Sequence, residues 1–359
     1  MLDLPQLYQK PSGSLLLTTL SQLTVKPSSW DAANDGNRSS PSINEEGIPA
    51  YLTRIIMSHL DWLSSQDERE DIWEAASKRL AERSGRTAMP SVSRVFTIPT
   101  LSMIEGAPKT IDITIYEPSL TGDNLGHKTW VASYLLAKRL PTLLAHHYTS
   151  DTTRSPPVIA QTDDSRVRRA TESPPISSPT RNTRPRLLEL GAGTGLVGLT
   201  ASALLSADIH LTDLPAIVLN LEHNIQSNSA LWHLSNSHIT SSVLDWSSTH
   251  PILEEVDKYD IILAADSLYA PEHAKWLAAT MAVYLQKSTV SGMIFVELPF
   301  RSGQPPEHEQ FRYEMSSHEF QLVEEGEETG FDDWESNISS ERVEVRCWWS
   351  VWRWCHCRE

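Results

Sequence analysis

The stretch Leu187-Leu-Glu-Leu-Gly-Ala-Gly-Thr-Gly-Leu-Val-Gly-Leu199 decides the fold class of this chain. Its first four residues are apolar except for Glu189, which predicts a buried strand, and its last four predict the start of a helix. Three glycines lie between them: Gly191, Gly193 and Gly195. Glycine permits a sharp turn and close contact with a ligand, and a helix that begins there offers N–H groups to an anion. The stretch therefore predicts a strand, a ligand-binding turn and a helix in succession.

Downstream of this turn, strand-like and helix-like segments alternate. The predicted strands are Arg186–Leu190, 208–212, 239–244, 259–264, 290–298, 320–325 and 342–352, and the main predicted helices are 196–205, 215–227 and 271–286. Such alternation is typical of a parallel sheet with crossover helices. We therefore predict an α/β fold, with a Rossmann-like seven-stranded mostly parallel sheet flanked by helices.

The N-terminal third differs in composition from the rest of the chain. Residues 26–49 are rich in Ser, Asn, Asp and Pro, with few large apolar side chains to offset the entropy of ordering, so we assign 1–49 to a mobile segment. Residues 50–117 show helical spacing followed by two β-rich stretches, 95–98 and 111–116, that suggest a hairpin. We predict a small helical and hairpin extension there.

The remaining residues, 118–359, are predicted to form the main domain. A polar tract rich in Ser, Pro and Arg interrupts it at 149–185, and a compact domain would not bury such a composition. We predict that this tract is a disordered insertion.

Charge and cysteine content restrict the function. The chain has 30 basic and 46 acidic residues, and its net charge of −16 disfavours direct binding to nucleic acid and suits a basic protein partner. The three cysteines, Cys347, Cys355 and Cys357, form no disulfide framework, which indicates a reducing compartment. No apolar run is long enough for a signal peptide or a bilayer span. We expect a cytoplasmic monomer without membrane contact, with the nucleus left open.

The tripeptide Cys355-His356-Cys357 is a weak candidate for a metal site. Adjacent residues cannot easily face one ion, and a closed zinc site needs four ligands. We expect no metal.

The glycines alone do not distinguish two cofactors. Gly193-x-Gly195-x-x-Gly198 also matches the fingerprint of dinucleotide-binding proteins, and Asp213 at the end of the next strand could bind the ribose of either cofactor. A Tyr-x-x-x-Lys pair, Tyr134 and Lys138, precedes the glycine turn instead of following it as hydride-transfer machinery would. This order favours S-adenosylmethionine over a nicotinamide cofactor.

Four separated segments make the resemblance to a family specific. They are 126–130 (GHKTW), the glycine stretch, 243–246 (VLDW) and 259–269 (YDIILAADSLY). In this order they resemble the protein-lysine branch of the seven-strand S-adenosylmethionine-dependent methyltransferases, the group that includes fungal elongation-factor lysine methyltransferases. The resemblance covers about residues 92 to 359 outside the insertion.

The resemblance implies a set of cofactor-binding residues. They are Trp130 against the cofactor, Glu189, Gly191, Gly193 and Gly195 along its methionine part, Asp213 at the ribose, Asp245 and Trp246 at the adenine, and Ala265 at the end of the fourth strand. Other roles stay open at this point: a helix N-cap for Asp213, core packing for Trp130 and Trp246, and a strand-end cap for Asp245.

Asp266 and Tyr269 are the candidate catalytic residues, because the carboxyl ends of parallel strands face the ligand crevice. A lysine ammonium has no lone pair, and deprotonating it at pH 7 costs roughly 4–5 kcal/mol. Asp266 could align the cation, and Tyr269 could present its ring face and exclude water. The alternatives are a cap or loop hydrogen bond ahead of Pro271 for Asp266 and an ordinary crevice wall for Tyr269.

These observations predict an enzyme that methylates a lysine in a protein partner, with S-adenosylmethionine as the donor and a translation elongation factor as a candidate substrate. Two other hypotheses keep the same fold. One is a small-molecule N- or O-methyltransferase, and the other is a non-catalytic methyltransferase-like interaction protein whose long polar tracts recruit partners.

Overall fold

The computed structural model describes residues 4–24, 47–84, 90–104, 107–119, 125–148, 184–287, 292–301, 307–332 and 343–355. The described helices are α1 (Gly13–Gln22), α2 (Ile48–Met57), α3 (Gln66–Ala81), α4 (Val131–Leu143), α5 (Leu196–Leu204), α6 (Pro215–Ser227), α7 (Ser229–Leu234), α8 (His273–Tyr284) and α9 (Glu307–Ser317). The described strands are β1 (Val92–Ile104), β2 (Ala107–Glu117), β3 (Arg186–Leu190), β4 (Asp208–Asp213), β5 (His238–Val243), β6 (Ile261–Ala265), β7 (Met293–Pro299), β8 (Phe320–Asp332) and β9 (Val343–Trp354).

The chain forms two compact units. One comprises Met1–Val92, Pro118–Leu125 and Gly330–Glu344, and the other comprises Ser93–Glu117, Gly126–Thr329 and Val345–Glu359. In the described part of the chain, no helix is long and apolar enough to cross a membrane.

The first unit contains α1, α2 and α3, whose apolar faces share one core. Leu16 and Leu20, four residues apart on α1, are almost fully buried in that core with Leu52 and Ile72. The Ser12 hydroxyl caps α1 by accepting a hydrogen bond from the Leu15 amide. The prediction that 1–49 is mobile is therefore wrong for α1, because its short apolar face is covered by the other two helices. Residues 25–46 of that prediction lie outside the described residues.

Strands β1 and β2 form a separate two-stranded sheet, as the hairpin pattern predicts, and both are longer than predicted. This hairpin belongs to the second unit from Ser93 onward. Two asparagines explain why, one in α6 and one directly after it. Asn224 Oδ1 accepts from the Tyr116 amide at 2.8 Å, and Asn228 Oδ1 accepts from the Thr114 amide at 3.0 Å. The predicted extension 50–117 is therefore not one piece.

The second unit is built on a seven-stranded sheet with the order β5-β4-β3-β6-β7-β9-β8, which confirms the predicted fold class. The strands from β5 to β7 are paired in parallel, and β9 runs antiparallel to β7. The predicted insertion at 149–185 lies outside the described residues up to residue 183.

Both faces of the sheet are buried. Leu188, Ile262 and Ile294 of the central strands form one core with side chains of α8 and α9. On β9, Trp348 belongs to that core, whereas its neighbour Cys347 packs with Val131 and other residues of α4. The alternation of side chains along a strand thus places α4 on the opposite face from α8 and α9.

Strand order reverses direction between β3 and β6. From β3 the chain continues outward to β4 and β5, and it then crosses back to add β6 and β7 on the other side. In open α/β sheets, ligands bind at such a reversal, outside the carboxyl ends of the strands. The fold therefore places its ligand crevice at the ends of β3 and β6, where the glycine turn and Asp266 lie.

Candidate active site

The glycine turn connects β3 to α5 through left-handed backbone. Gly191, Gly193 and Gly195 have φ angles of +67°, +56° and +87°, values that L side chains rarely adopt. The Ala192 amide donates to the Thr212 carbonyl at 2.9 Å, and the Gly195 amide donates to the Ala192 carbonyl at 2.8 Å. The turn is therefore held against β4, and Gly195 stands at the N-cap of α5.

Glu189 supports this turn from beneath. Its Oε2 accepts a hydrogen bond from the Gly198 amide at 2.8 Å, which satisfies one of the free N–H groups of α5. A Cβ on Gly198 would overlap both Leu211 and the Glu189 carboxylate, so the third glycine of the pattern is needed for close packing. Burial raises the pKa of Glu189 to about 8, against the effect of the Gly198 amide. Its predicted contact with the methionine part of the cofactor stays a prediction.

Asp213 ties the turn to the end of β4. Its Oδ2 accepts from the Gly193 amide and its Oδ1 from the Leu214 amide, both at 2.7 Å. Burial raises the pKa of Asp213, and the two amide bonds oppose that shift. The N-cap of α6 is Leu214, so Asp213 is not that cap. A carboxylate has about four lone-pair sites, which leaves room for hydroxyl donors such as those of a ribose.

Trp246 lies directly against the turn. A Cβ on Gly191 would stand 3.1 Å from the Cη2 and Cζ2 atoms of the Trp246 ring. The indole also packs against the core that α8 and α9 cover. Within the described residues, its buried Nε1 has no hydrogen-bond acceptor, a feature that fits an adjoining polar ligand.

Asp245 has a structural role in the turn after β5. Its Oδ1 accepts from the Ser247 amide at 2.9 Å and from the Ser247 hydroxyl at 2.7 Å. These Ser247 bonds lower the pKa of Asp245. The structure thus shows the strand-end cap that sequence left open, and an additional contact with adenine stays a prediction.

Trp130 stands at the start of α4, next to a residue that contacts the glycine turn. It is the N-cap residue of α4, and its carbonyl accepts from the Ser133 and Tyr134 amides. The preceding Thr129 shares a hydrogen bond of 2.9 Å with the hydroxyl of Thr194, inside the glycine turn. The segment around Trp130 is therefore fixed to the turn, although the two are far apart in sequence.

We call the glycine turn with Glu189, Asp213 and Trp246 the cofactor side. Left-handed glycines, a helix start, a carboxylate at the next strand end and a buried unpaired indole N–H meet there. This donor and acceptor set fits S-adenosylmethionine, which carries a carboxylate, a ribose and an adenine.

Asp266 leaves β6 with an unusual backbone. Its φ is +52°, and its amide donates to the Glu297 carbonyl of β7 at 2.9 Å. Its Oδ1 accepts a hydrogen bond from the Nη2 of Arg301, just past the end of β7. The side chain is 7% exposed, and burial raises its pKa to about 6 while Arg301 opposes the shift. Glu272 is the N-cap residue of α8, so Asp266 does not cap that helix.

Tyr269 stands at the mouth of the crevice and is 54% exposed. Its ring meets the His273 ring edge-on, with 4.2 Å between centroids, and His273 meets the Trp246 ring at 6.0 Å. Burial raises the pKa of Tyr269, and the negative charges of Asp213 and Asp266 raise it further. The tyrosine therefore lies in the electrostatic field of both the cofactor side and Asp266.

We call Asp266, Tyr269 and Arg301 the acceptor side. Ala265, predicted to contact the cofactor, ends β6 next to Glu297 of β7 and is nearly buried. The structure thus brings the predicted residues from four strand ends to one edge of the sheet. Their individual contacts with cofactor and substrate stay predictions.

Sequence reasoning missed Arg301 and Glu297. Arg301 follows the predicted strand 290–298, so the rule that located Asp266 at a strand exit could have found it. Glu297 is the one acid in the otherwise apolar β7 segment MIFVELP, and its side chain is fully buried. Burial raises its pKa well above the usual range, and Arg139 Nε lies 4.0 Å from its Oε2.

No three side chains of His, Cys, Asp or Glu gather as metal ligands within the described ranges. Cys355 is exposed, and His356 and Cys357 lie outside those ranges. The absence of a metal remains a prediction.

Comparisons with known proteins identify the family of this chain. Residues 109–312, more than half of the chain, match the family model described as lysine methyltransferase. Protein-lysine N-methyltransferase EFM2 of Saccharomyces cerevisiae is 29% identical over 304 residues, which cover 82% of this chain and 64% of that protein. Protein-lysine N-methyltransferase rrg1 of Schizosaccharomyces pombe is 28% identical over 357 residues, which cover 98% and 97%.

Among solved structures, M. jannaschii TYW2 in complex with AdoMet aligns with 48% of this chain and 69% of that chain, at 13% identity and a TM-score of 0.32. That likeness is too distant to bear on function. The family match and the site carry the assignment: this chain belongs to the lysine methyltransferase family, whose members use S-adenosylmethionine as methyl donor.

Proposed function

We propose that this chain transfers a methyl group from S-adenosylmethionine to the side-chain amine of a lysine in a protein, and that a translation elongation factor is its substrate. The observation that carries the proposal is the position of Asp266 and Tyr269. Both lie at the exit of β6, and the charge of Asp213 on the cofactor side reaches the tyrosine. Two relatives that align with most of this chain are named protein-lysine N-methyltransferases.

The acceptor side suits a lysine because it combines one carboxylate with an aromatic ring. Asp266 aligns the incoming ammonium, and the Tyr269 ring offers it a negative face and shields it from water. Deprotonation at pH 7 costs roughly 4–5 kcal/mol, which desolvation in the crevice must reduce. The cofactor supplies a methyl group on a positively charged sulfonium. The residues then act by holding the amine in line, without a covalent enzyme intermediate.

Tyr269 also favours a macromolecular acceptor. A small-molecule site normally encloses most of its ligand, whereas this ring is 54% exposed at the crevice mouth. A lysine side chain can reach such a site while the rest of its protein stays outside.

The identity of the partner follows from charge and resemblance. A net charge of −16 attracts a lysine-rich protein and repels nucleic acid, and elongation factors are substrates in the group that the four motifs resemble. We propose that the enzyme works as a monomer in the cytoplasm, where translation factors are found.

A labelling experiment tests this function. Purified protein is incubated with methyl-labelled S-adenosylmethionine and a yeast lysate, and labelled proteins are separated by mass. We expect a labelled band with the wild type and with Asp257→Asn, an exposed acid at the opposite edge of the sheet, before β6. The band should be lost with Asp266→Asn.

Cofactor affinity and thermal unfolding are measured for both variants, so that a folding defect is recognised. Label confined to small molecules would contradict a protein substrate. Label that survives in a folded Asp266→Asn variant would refute the role of Asp266.

A further inference from the structure

Arg301 connects three elements around the acceptor side. One guanidinium nitrogen, Nη2, donates to Asp266 Oδ1. The other, Nη1, donates to the Leu268 carbonyl and lies 4.0 Å from Glu307 Oε2 at the start of α9. The Arg301 side chain is 31% exposed, whereas the Asp266 side chain is almost fully buried. The predicted catalytic carboxylate is thus already paired with a cation before any substrate arrives.

Other charged and titratable groups surround this pair. On β7, Glu297 is buried with a strongly raised pKa, which favours its neutral form, and on β9 the pKa of Cys347 is raised, mainly by burial. The His273 ring of α8 donates a hydrogen bond from Nδ1 to the Ser267 carbonyl. It also opposes the rise that burial causes in the pKa of Glu307. Tyr269 is the remaining titratable neighbour, and burial raises its pKa. The geometry thus places two carboxylates beside the Arg301 guanidinium: Asp266, which accepts its hydrogen bond, and Glu307, at 4.0 Å.

An unpaired carboxylate would hinder lysine methylation in one respect. It stabilises the ammonium form of a neighbouring lysine and so raises the pKa of that lysine. Each unit of that increase lowers the reactive amine fraction about tenfold at pH 7. A site that only attracted the cation would therefore bind substrate well and methylate it slowly. A permanent counter-charge on the carboxylate limits this effect, and an arginine provides one at every accessible pH.

Resting on the proposed function, we propose that Arg301 is a positioning residue that orients Asp266 and limits how strongly this carboxylate stabilises the ammonium form of the acceptor lysine. Arg301 does not touch the reacting atoms; it acts through Asp266. Glu307 has the opposite effect. Its carboxylate lies 4.0 Å from the same guanidinium, so its negative charge weakens the electrostatic effect of Arg301 on Asp266.

The test is the pH dependence of kcat. The substrate is the protein that the wild-type enzyme labels in the lysate, used here in purified form. For Arg301→Gln we expect the rising limb of the kcat profile to move to higher pH by about one unit. The value of kcat at pH 7 should then fall about tenfold and should return to the wild-type value at high pH. Arg301→Lys should restore most of the wild-type profile. The substrate KM should not rise in Arg301→Gln, and S-adenosylmethionine affinity should be unchanged.

A second variant has the opposite expected sign. In Glu307→Gln, the guanidinium of Arg301 loses its second neighbouring carboxylate and keeps Asp266, so the rising limb should move to lower pH. Arg312→Gln is the matched control, because Arg312 pairs with Glu325 on α9 and β8, outside the acceptor side. Its profile should overlay that of the wild type.

Two outcomes would overturn the inference: profiles of Arg301→Gln and Glu307→Gln that both overlay the wild type, or a loss in Arg301→Gln that is equal at every pH. A titration of the Asp266 carboxyl by NMR tests the same coupling without turnover. Its pKa should rise in Arg301→Gln, and an unchanged pKa would contradict the inference. If the wild type labels no protein, the proposed function fails, whereas the NMR result still decides the role of Arg301.

Discussion

The two halves of the crevice are held in different ways. On the cofactor side, Glu189 and Asp213 accept hydrogen bonds from main-chain amides of the glycine turn and of the residues just after it. On the acceptor side, Asp266 is held by the side chain of Arg301, which comes from another strand and contacts a third element. Backbone contacts fix one half, and paired side-chain charges fix the other.

This difference has a functional consequence. A turn built from main-chain amides suits a cofactor that is the same in every reaction, because the positions of main-chain donors do not depend on side-chain identity. A charge cluster built from side chains can be tuned by single substitutions and by pH. We therefore expect mutations on the cofactor side to change the affinity for the cofactor. Mutations on the acceptor side should change the rate of methyl transfer and its pH dependence while cofactor binding persists.

The largest expected effect is on the cofactor side. Asp213→Ala removes the acceptor of the Gly193 and Leu214 amides together with the predicted ribose contact. Hydrogen bonds to a charged group contribute about 1.5–3 kcal/mol each, so affinity for S-adenosylmethionine should fall at least about 100-fold. Calorimetry measures this, with Asp245→Ala as the comparison.

Asp245 is engaged by Ser247 in its own turn, so its loss should weaken binding by less than about tenfold. Equal losses in the two variants would contradict the predicted hydrogen bonds between the Asp213 carboxylate and the ribose.

The next effect is the pH dependence of cofactor binding. The pKa of Glu189 is about 8 in the cofactor-free protein, so this group is mostly protonated at pH 7. A cofactor with a net positive charge favours the ionised form, and binding should therefore release a proton. Affinity should rise between pH 6.5 and 8.5 by at most about tenfold per unit.

Calorimetry in buffers of different ionisation enthalpy counts the released proton. Glu189→Gln, which cannot ionise, should remove the pH dependence. A dependence that persists in this variant would assign the titration to another group.

A smaller effect is expected from Tyr269. Removing the ring in Tyr269→Ala loses a cation–π contact worth about 0.5–1 kcal/mol at an exposed site, so kcat/KM should fall about two- to fivefold. Tyr269→Phe keeps the ring and should stay close to wild type. Both variants should bind S-adenosylmethionine normally. A larger defect in the phenylalanine variant than in the alanine variant is incompatible with a role of the ring face.

The smallest effect is on stability. The pKa of Glu297 is raised well above its usual value in the folded protein, so folding takes up a proton over the range between its unfolded and folded pKa. Wild-type stability should consequently decrease as pH rises through that range, whereas Glu297→Gln has no such dependence. We expect the variant to melt higher at pH 8.5 by roughly 2–4 °C and equally near pH 4. Differential scanning calorimetry at both pH values checks this; a pH-independent difference would contradict it.

Local patterns were enough to predict the sheet, the glycine turn and the position of Asp213, whereas Glu189 and Trp246 came from the resemblance to a family. Strand periodicity, the three glycines and Asp213 can each be recognised from adjacent residues in the sequence. In the structure the glycines lie between β3 and α5, and Asp213 ends β4, as expected. Helix α1 was missed because its apolar face is short and becomes meaningful only when α2 and α3 cover it.

The acceptor side could be predicted only in part. Asp266 and Tyr269 follow a recognisable strand, but Arg301 becomes relevant through a contact between residues 35 positions apart. Nothing in the local sequence around Arg301 indicates which carboxylate it meets. The same is true of Asn224, which links α6 to the hairpin and to the glycine turn. Tertiary contacts between distant side chains are therefore what the sequence did not reveal.

Tandem mass spectrometry of the protein labelled in a yeast lysate tests the central claim most directly. We expect methyl groups on the side-chain nitrogen of a lysine, present with wild-type enzyme and absent with Asp266→Asn, while both enzymes bind S-adenosylmethionine with similar affinity. A methyl group on any other residue type, or on the same lysine with the Asp266→Asn enzyme, would contradict it.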